Sequence, residues 1–359
     1  ETRGRLSVAD RDTGRVAVWD LDVGAEVTTY ELSAPARLYR ASSRQITAVV
    51  AAQPAAERFD VFAVGVWVWD HVDHFHVYKD PSVIQIDDAL TYTGGVDDVQ
   101  VNGGWVVAFD DSTGRATALR ERSIGSLRTD VDRTLAPIFR SVEGTPHDGT
   151  ATVARGRLFV TRAEGGVARY LQDPRGFEDP TILDCDAPGA GTAAGFRAVF
   201  DCSEGLLVSR WDEDAEAFEE VRIARPADVD RPARLLGEDD STTFVGVAGE
   251  RDLLFVDSEA GAATATSFEA SIVDAALDRD ARWLLVLLEG GVLLDLDPAS
   301  GAERRRLDLG VEHTLVDLAV GDGFAYLAEP DGGRVHEVDL ARFETAATLA
   351  VGGAPAHLV

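Results

Sequence analysis

With 359 residues, 34 basic against 63 acidic side chains and a formal charge of −29, the chain cannot hold nucleic acid by neutralising phosphates, and an anionic membrane surface would repel it equally. Its composition, 45% hydrophobic and 27% charged, is that of a globular protein, and no apolar run approaches the ~18 residues of a membrane span. A single lysine (Lys79), no methionine and abundant Arg, Ala, Gly, Val and Asp make the charge a mark of a GC-rich genome or a salt-adapted surface rather than of function; cations would gather near it only diffusely.

Helical periodicity is nearly absent. Short Val/Leu/Phe/Ala runs alternate instead with turn clusters of Asp, Ser, Thr and Gly, the pattern of strands joined by tight hairpins. Glu1 opens directly in polar sequence, so any secretion signal is expected to have been removed or never to have existed. The first unit, "RLSVADRDTGRVAVWDLDVGAEVTTYEL", reads as strand, Asp-x-Thr-Gly turn, strand, Asp-Leu-Asp, Gly turn, strand. "VVAFDDSTGRATAL", "LLFVDSEAGAATATSF" and "GVLLDLDPASGAERRRLDL" return to its hairpin, and "FAYLAEPDGGRVHEVDLARFETAATLAV" closes the chain on nearly the opening pattern. Glycine supplies the positive φ of these turns, and Asp or Ser bonds back to the turn backbone.

Starting points near residues 4, 45, 94, 147, 195, 242, 281 and 322 divide the chain into eight units of roughly 40–50 residues, the period of propeller blades. Each has room for four short strands but needs its neighbours to cover both faces. The expectation is an all-β fold, one β-propeller domain over residues 1–359 with eight blades, or seven if the irregular stretch 115–146 is one long excursion. The likeness of first and last units suits a ring in which one terminus completes the other's blade.

Within this frame one segment stands apart. "GVWVWDHVDHFHVYKD" puts three of the chain's seven histidines, His71, His74 and His76, within six positions, with Asp70 and Asp73 beside them. If 61–78 is a single strand running to its end, His74 and His76 share a face about 6.6 Å apart at the backbone, and His71 shares the other with Asp73. That spacing suits two ligands converging on one cation. Zinc wants about four ligands, so another blade would supply the rest. His147 in "GTPHDGT" is the best candidate, because it opens a blade between a proline and a glycine; Asp73, Asp148 or Asp98 could add a carboxylate or orient a ring. The plainer alternative is a polar turn that happens to be rich in histidine. His313, His336 and His357 stand alone on strand-like segments and read as structural.

Cys185 and Cys202, the only cysteines, flank the Gly-rich "DAPGAGTAAGFRAVFD", which could fold back and join them. A disulfide and an oxidising compartment are therefore favoured over two free thiols. Two sulfurs alone cannot complete a zinc site.

The sequence resembles the AztD family of periplasmic zinc chaperones associated with ABC-type zinc importers. "GVWVWDHVDHFHVY" is similar to the family's His-Gly-Asp-His-x-His signature, "TPHDGTATVARGRLFVTRAEGG" to its Pro-His-His-Gly blade, and "FRAVFDCSEGLLV" to its Phe-Gly-Cys-Ala-Asp-Gly segment. The likeness extends from "SAPARLYRASSRQITAVVAAQ" to the final "GGRVHEVDL", nearly the whole chain. It implies a propeller, export to the periplasm or cell surface, a disulfide, and zinc handed to a solute-binding protein. His71, Asp73, His74 and His76 match the first motif and His147 the second. Val72 stands where the family has glycine, and Asp148 where it has the second histidine of Pro-His-His-Gly. The family's Cys-Pro-Gly-x-His-Gly-Glu segment reads "CDAPGAGTAAG", without its histidine or glutamate, and a Pro-Ser-His element expected at 96–98 reads "VDD". One metal position has thus lost ligands. The alternative this opens is a propeller interaction module whose zinc binding has weakened and whose partners are proteins.

Catalysis has little to stand on. There is no Gly-x-Ser-x-Gly elbow, P-loop or His-Glu-x-x-His, and Ser203 in "DCSEG" has no histidine near it in sequence. A metal-dependent hydrolase ranks third, behind the two binding roles.

Overall fold

The computed structural model describes residues 2–43, 46–70, 75–79, 90–102, 104–120, 139–173, 176–238, 241–278, 280–321 and 323–359. Eight antiparallel sheets follow one another in a ring, each a propeller blade. The innermost strands, which run side by side around the central channel, are Pro355–Leu358, Arg37–Ser43, Asp98–Asn102, Ala151–Ala154, Gly191–Ala194, Pro232–Leu236, Ile272–Leu277 and Asp317–Gly321. The channel mouth where these strands begin is called lower here, and the mouth where they end upper.

The expected seven-blade alternative is not what the chain does. The stretch 115–146 contributes the third and fourth strands of blade 3, Arg115–Arg120 and Phe139–Val142, and residues 121–138 lie outside the described residues. Several expected unit boundaries fall one strand late. Those at 45, 195, 242, 281 and 322 coincide with second strands, beginning at Ile46, Arg197, Thr243, Leu284 and Phe324, rather than with inner ones. The reason is burial. Leu284–Leu288 is covered on both faces and reads as a continuous apolar run, whereas its inner neighbour Ile272–Leu277 is partly open to the channel and reads as mixed sequence.

Packing follows the seams between blades. Eight hydrophobic clusters each draw on two consecutive blades: Phe59 and Val50 meet Val99 and Leu119, Leu285 and Leu287 meet Leu318 and Leu327, and the last joins Tyr326 and Ala328 to Leu6 and Val8. The core is therefore a ring of seams around an open channel, and no blade buries its faces alone. The chain ends close the ring. Pro355–Leu358 pairs with Arg5–Asp10, Val8 lying opposite Leu358, and Ser7 and Val359 exchange N–H···O bonds of 2.7 and 3.0 Å.

The recurring aspartates cap the turns. Asp10 Oδ1 accepts from the N–H groups of Asp12 and Thr13, and Asp110 Oδ1 from the N–H and hydroxyl of Ser112, in hairpins joining second to third strands. Asp257 and Asp297 do the same between third and fourth strands, accepting from Glu259 and Ala260, and from Ala299 and Ser300. One local motif thus serves hairpins at both mouths, which is why its repeat does not by itself mark blade boundaries. Gly114 shows why the turns need glycine: φ is +70°, and a Cβ there would lie 2.1 Å from the Thr145 carbonyl oxygen.

Cys185 and Cys202 form a disulfide, Cα atoms 5.3 Å apart, both buried in the seam between blades 4 and 5. It closes a loop between cysteines 17 positions apart, for which chain entropy gives about 3 kcal/mol. Replacing both by Ala is expected to lower unfolding stability by that amount in urea titration. Unfolded, unreduced wild-type protein should show no titratable thiol.

Candidate metal centre

The histidine-rich segment does not lie on one continuous strand. Arg58–Asp70 and Phe75–Lys79 are separate antiparallel strands, Asp70 opposite Phe75 and Val66 opposite Lys79, so residues 71–74 are the four that join them. The same-face spacing inferred for His74 and His76 from an uninterrupted strand therefore does not hold. His71, Asp73 and His74 lie outside the described residues. His76 is described by its backbone alone, paired with Trp69.

The stem of this hairpin is well placed by its neighbours. Arg58–Asp70 pairs with Ile46–Gln53 only as far as Val66, opposite Thr47; beyond that it pairs with Phe75–Lys79 alone. A two-stranded ribbon thus leaves the upper edge of blade 2, and the His76 rung lies three residues past Val66, about 10 Å at ~3.3 Å per residue. The outer edge of the same blade is completed lower down by Leu90–Thr93, opposite Arg58–Val61. Lys79 fixes the foot of the ribbon. Its Nζ donates to Asp20 Oδ1 at 2.7 Å and to Asp22, at the third-to-fourth-strand turn of blade 1. Burial works against the ammonium, but these two carboxylates outweigh it and raise its pKa. Asp22, also opposed by burial, is held well below the usual carboxylate range by Lys79 and Thr2. The chain's one lysine is thereby a clamp, a role its position in the sequence did not signal.

His147 sits at the other mouth. It precedes the inner strand Ala151–Ala154, as its Pro-His-x-Gly setting suggested. Nδ1 lies 2.8 Å from the Thr145 carbonyl oxygen, so the ring donates there, and Nε2 lies 3.1 Å from the Thr161 hydroxyl. Phe109 meets the ring edge-on at 5.0 Å. Gly149 is required for this packing, since a Cβ would come within 2.5 Å of His147 Nε2. An Nδ1–H fixed on a backbone carbonyl with Nε2 turned to a polar partner is the orientation a ligating histidine adopts.

Carboxylates surround it. Asp111 accepts the Gly149 N–H at 3.1 Å, and Asp97 accepts the Asp111 N–H at 3.0 Å. Burial, with Asp97 and Asp148 as like charges, raises the pKa of Asp111. Asp98 takes the Thr150 hydroxyl and is likewise raised, chiefly by burial and further by Asp111. Asp148 is exposed. Among the described residues, however, no group of three or more His, Cys, Asp or Glu side chains is arranged to hold a metal ion.

The structure does not bring His76 and His147 together. Inner strands of four to seven residues separate the mouths by some 10–20 Å, and the ribbon adds to that. Zinc ligands lie ~2.0–2.2 Å from their ion, so one ion cannot take both residues.

The remaining histidines are structural or exposed. His336 is buried, Nε2 2.6 Å from Glu329, which also receives both ends of the Arg334 guanidinium at 2.9 Å. His357 pairs loosely with Asp317, at 3.5 Å. His313 lies exposed in a bend rather than on a strand.

No family model matches the chain. It is 22% identical to the zinc chaperone AztD of Citrobacter koseri over 369 aligned positions, spanning all of this chain and 86% of the relative. Two structures of Citrobacter koseri AztD, one of them apo, superpose with TM-scores of 0.82 and 0.83 at 20% identity, covering 99% of this chain and 96% of theirs. Dihydro-heme d1 dehydrogenase NirN, in complex with DHE, superposes at 0.67 with 12% identity over 99% of this chain and 75% of its own. The resemblance to AztD thus runs through the whole chain and the eight-bladed ring.

Two consequences can be measured. Lys79→Gln should cost about 1–2 kcal/mol, because the pair is only partly screened from water, while amide exchange rises selectively at 75–79. Glu329 is pushed up by burial but pulled below its ordinary value by Arg334 and His336. Its contribution is therefore present above the unfolded carboxylate pKa and lost as pH falls through the lower folded value. Glu329→Gln should cost about 3 kcal/mol at pH 7, with the difference from wild type shrinking below about pH 4 in chemical denaturation.

Proposed function

We propose that this protein is an exported zinc carrier, without catalytic activity, that holds zinc on the ribbon of blade 2 and passes it to, or buffers it for, the solute-binding protein of an ABC-type zinc importer in the periplasm or at the cell surface. The observation that carries the reading is the ribbon itself. A two-stranded stem, clamped by Lys79 and projecting beyond its blade, carries His71, Asp73, His74 and His76 within six positions. Four nitrogen and oxygen donors of this kind satisfy a tetrahedral zinc ion. A ligand set on a projecting ribbon is also accessible to donors of a partner, as stepwise ligand exchange requires. The full-length likeness to a zinc chaperone supports the same reading, and the disulfide suits an oxidising compartment.

His147 belongs, in this proposal, to a second and separate position at the lower mouth, where Asp148 stands in for the lost family histidine. The distance between the mouths argues for two positions rather than a shared ion.

Zinc retained by untagged protein after equilibrium dialysis tests this. His74→Ala with His76→Ala should remove the tightly held ion and leave the circular-dichroism spectrum unchanged, whereas His147→Ala should leave that ion in place. Full zinc retention in the double variant would refute the assignment. Ligating imidazoles must be neutral, so affinity measured against a chelator of known proton linkage should fall below about pH 6.5, with a limiting slope near three protons for three histidines.

A further inference from the structure

We infer that the upper mouth of the channel is a binding site for a ligand with an apolar body and two or more carboxylates, distinct from any zinc position. The mouth opens on a cavity of about 1190 Å³. Its charged side chains are Arg3, Arg5, Arg40, Arg155 and Arg197 against Glu238 alone. Acidic residues outnumber basic ones 63 to 34 in the whole chain, so five to one in the opposite sense is a local reversal of the field. Concave walls of low dielectric concentrate that field, and a multiply charged anion repelled by the outer surface would be drawn to this mouth. Between the arginines the walls are apolar, with Leu6, Val49, Val64, Val66, Leu277 and Val320, which excludes a bare inorganic ion as the best-fitting occupant.

Arg155 is the strongest single sign. It occupies the turn after the inner strand of blade 4 with φ +46°, the left-handed region that costs a non-glycine residue about 1 kcal/mol or more. The next blade has Gly195 at the corresponding turn, φ +54°. The guanidinium lies between the rings of Phe196, at 4.5 Å, and Trp211, at 4.4 Å. Both faces are therefore occupied, while Arg155 itself is exposed and its side chain makes no hydrogen bond among the described residues. A guanidinium held flat with its N–H edge open is preorganised for bidentate pairing with a carboxylate. Phe196, 45% exposed beside it, extends an aromatic surface toward the ligand body. Arg197, from the same turn as Phe196, is tied to Glu259, and Arg3 to Glu337; they shape the field rather than offer a free edge.

The ligand has two possible sources, a small organic polyacid or an acidic and apolar peptide segment of a partner. Metal-free full-length protein is titrated calorimetrically with 1,3,5-benzenetricarboxylate, with a peptide alternating Glu and Leu, and with inorganic phosphate. Tighter binding of the tricarboxylate points to the first source, and tighter binding of the peptide to the second; either supports the site. Arg155→Gln should weaken binding about tenfold or more, Arg155→Lys should restore only part of it, and raising salt from about 50 to 300 mM should weaken it several-fold. Thermal melts of the variants establish that they are folded, and Arg40→Gln provides an independent second lesion. Equal affinity in wild type and both Gln variants, no binding of either carboxylate probe at millimolar concentration, or phosphate binding as tightly as the tricarboxylate would overturn the inference. None of these outcomes depends on zinc.

Discussion

Everything in this molecule depends on closing the ring. Each hydrophobic seam needs two blades, and the seam between blades 8 and 1 exists only because Pro355–Leu358 supplies the inner strand of the blade begun by Arg5–Asp10. Asp10 ties the closure further, its Oδ2 accepting the Ala354 N–H at 2.7 Å while its Oδ1 caps the neighbouring turn. A linear stack of eight blades would leave an inner edge unpaired and two apolar faces open; the closed ring leaves neither. Rigidity of the mouths follows from that closure rather than from any blade by itself.

A closed ring of short strands also divides labour between rim and connection. Connections within and between blades all emerge at one mouth or the other, and they can vary without disturbing the seams. Blade 2 uses this freedom most. Its third strand outruns its partner in the sheet, and its outer edge is made by two strands, Phe75–Lys79 above and Leu90–Thr93 below. The donor-rich segment thus leaves the ring on a stem whose foot is held electrostatically by blade 1. His147 is held in the opposite way, packed among Phe109, Thr161 and Gly149 at the lower mouth.

Charge is distributed by the same geometry. The acidic excess lies mostly on turns and outer strands, where aspartates double as turn caps, and the single lysine is spent on the ribbon. At the upper mouth five arginines from blades 1, 2, 4 and 5 face one cavity, although in sequence they are 192 positions apart at the extremes, Arg5 to Arg197. The sign of the mouth is thus opposite to that of the protein as a whole.

The sequence by itself determined the class of fold, the eight-fold repeat, the closure of first unit on last and the disulfide, because hairpin turns and strand alternation are local chemistry written within a few residues. It also marked 71–76 as a donor cluster and His147 as the start of an inner strand. It misread where most blades begin, since the strand most apolar in sequence is the one buried on both faces, not the one lining the channel. It joined His76 to His147, because neither strand direction nor the mouth a connection emerges from can be read from spacing. The Lys79 clamp, the stacking of Arg155 and the arginine-lined mouth were decided by tertiary structure alone: each is made by residues from different blades, brought together only when the ring closes and sets which strand ends share a face.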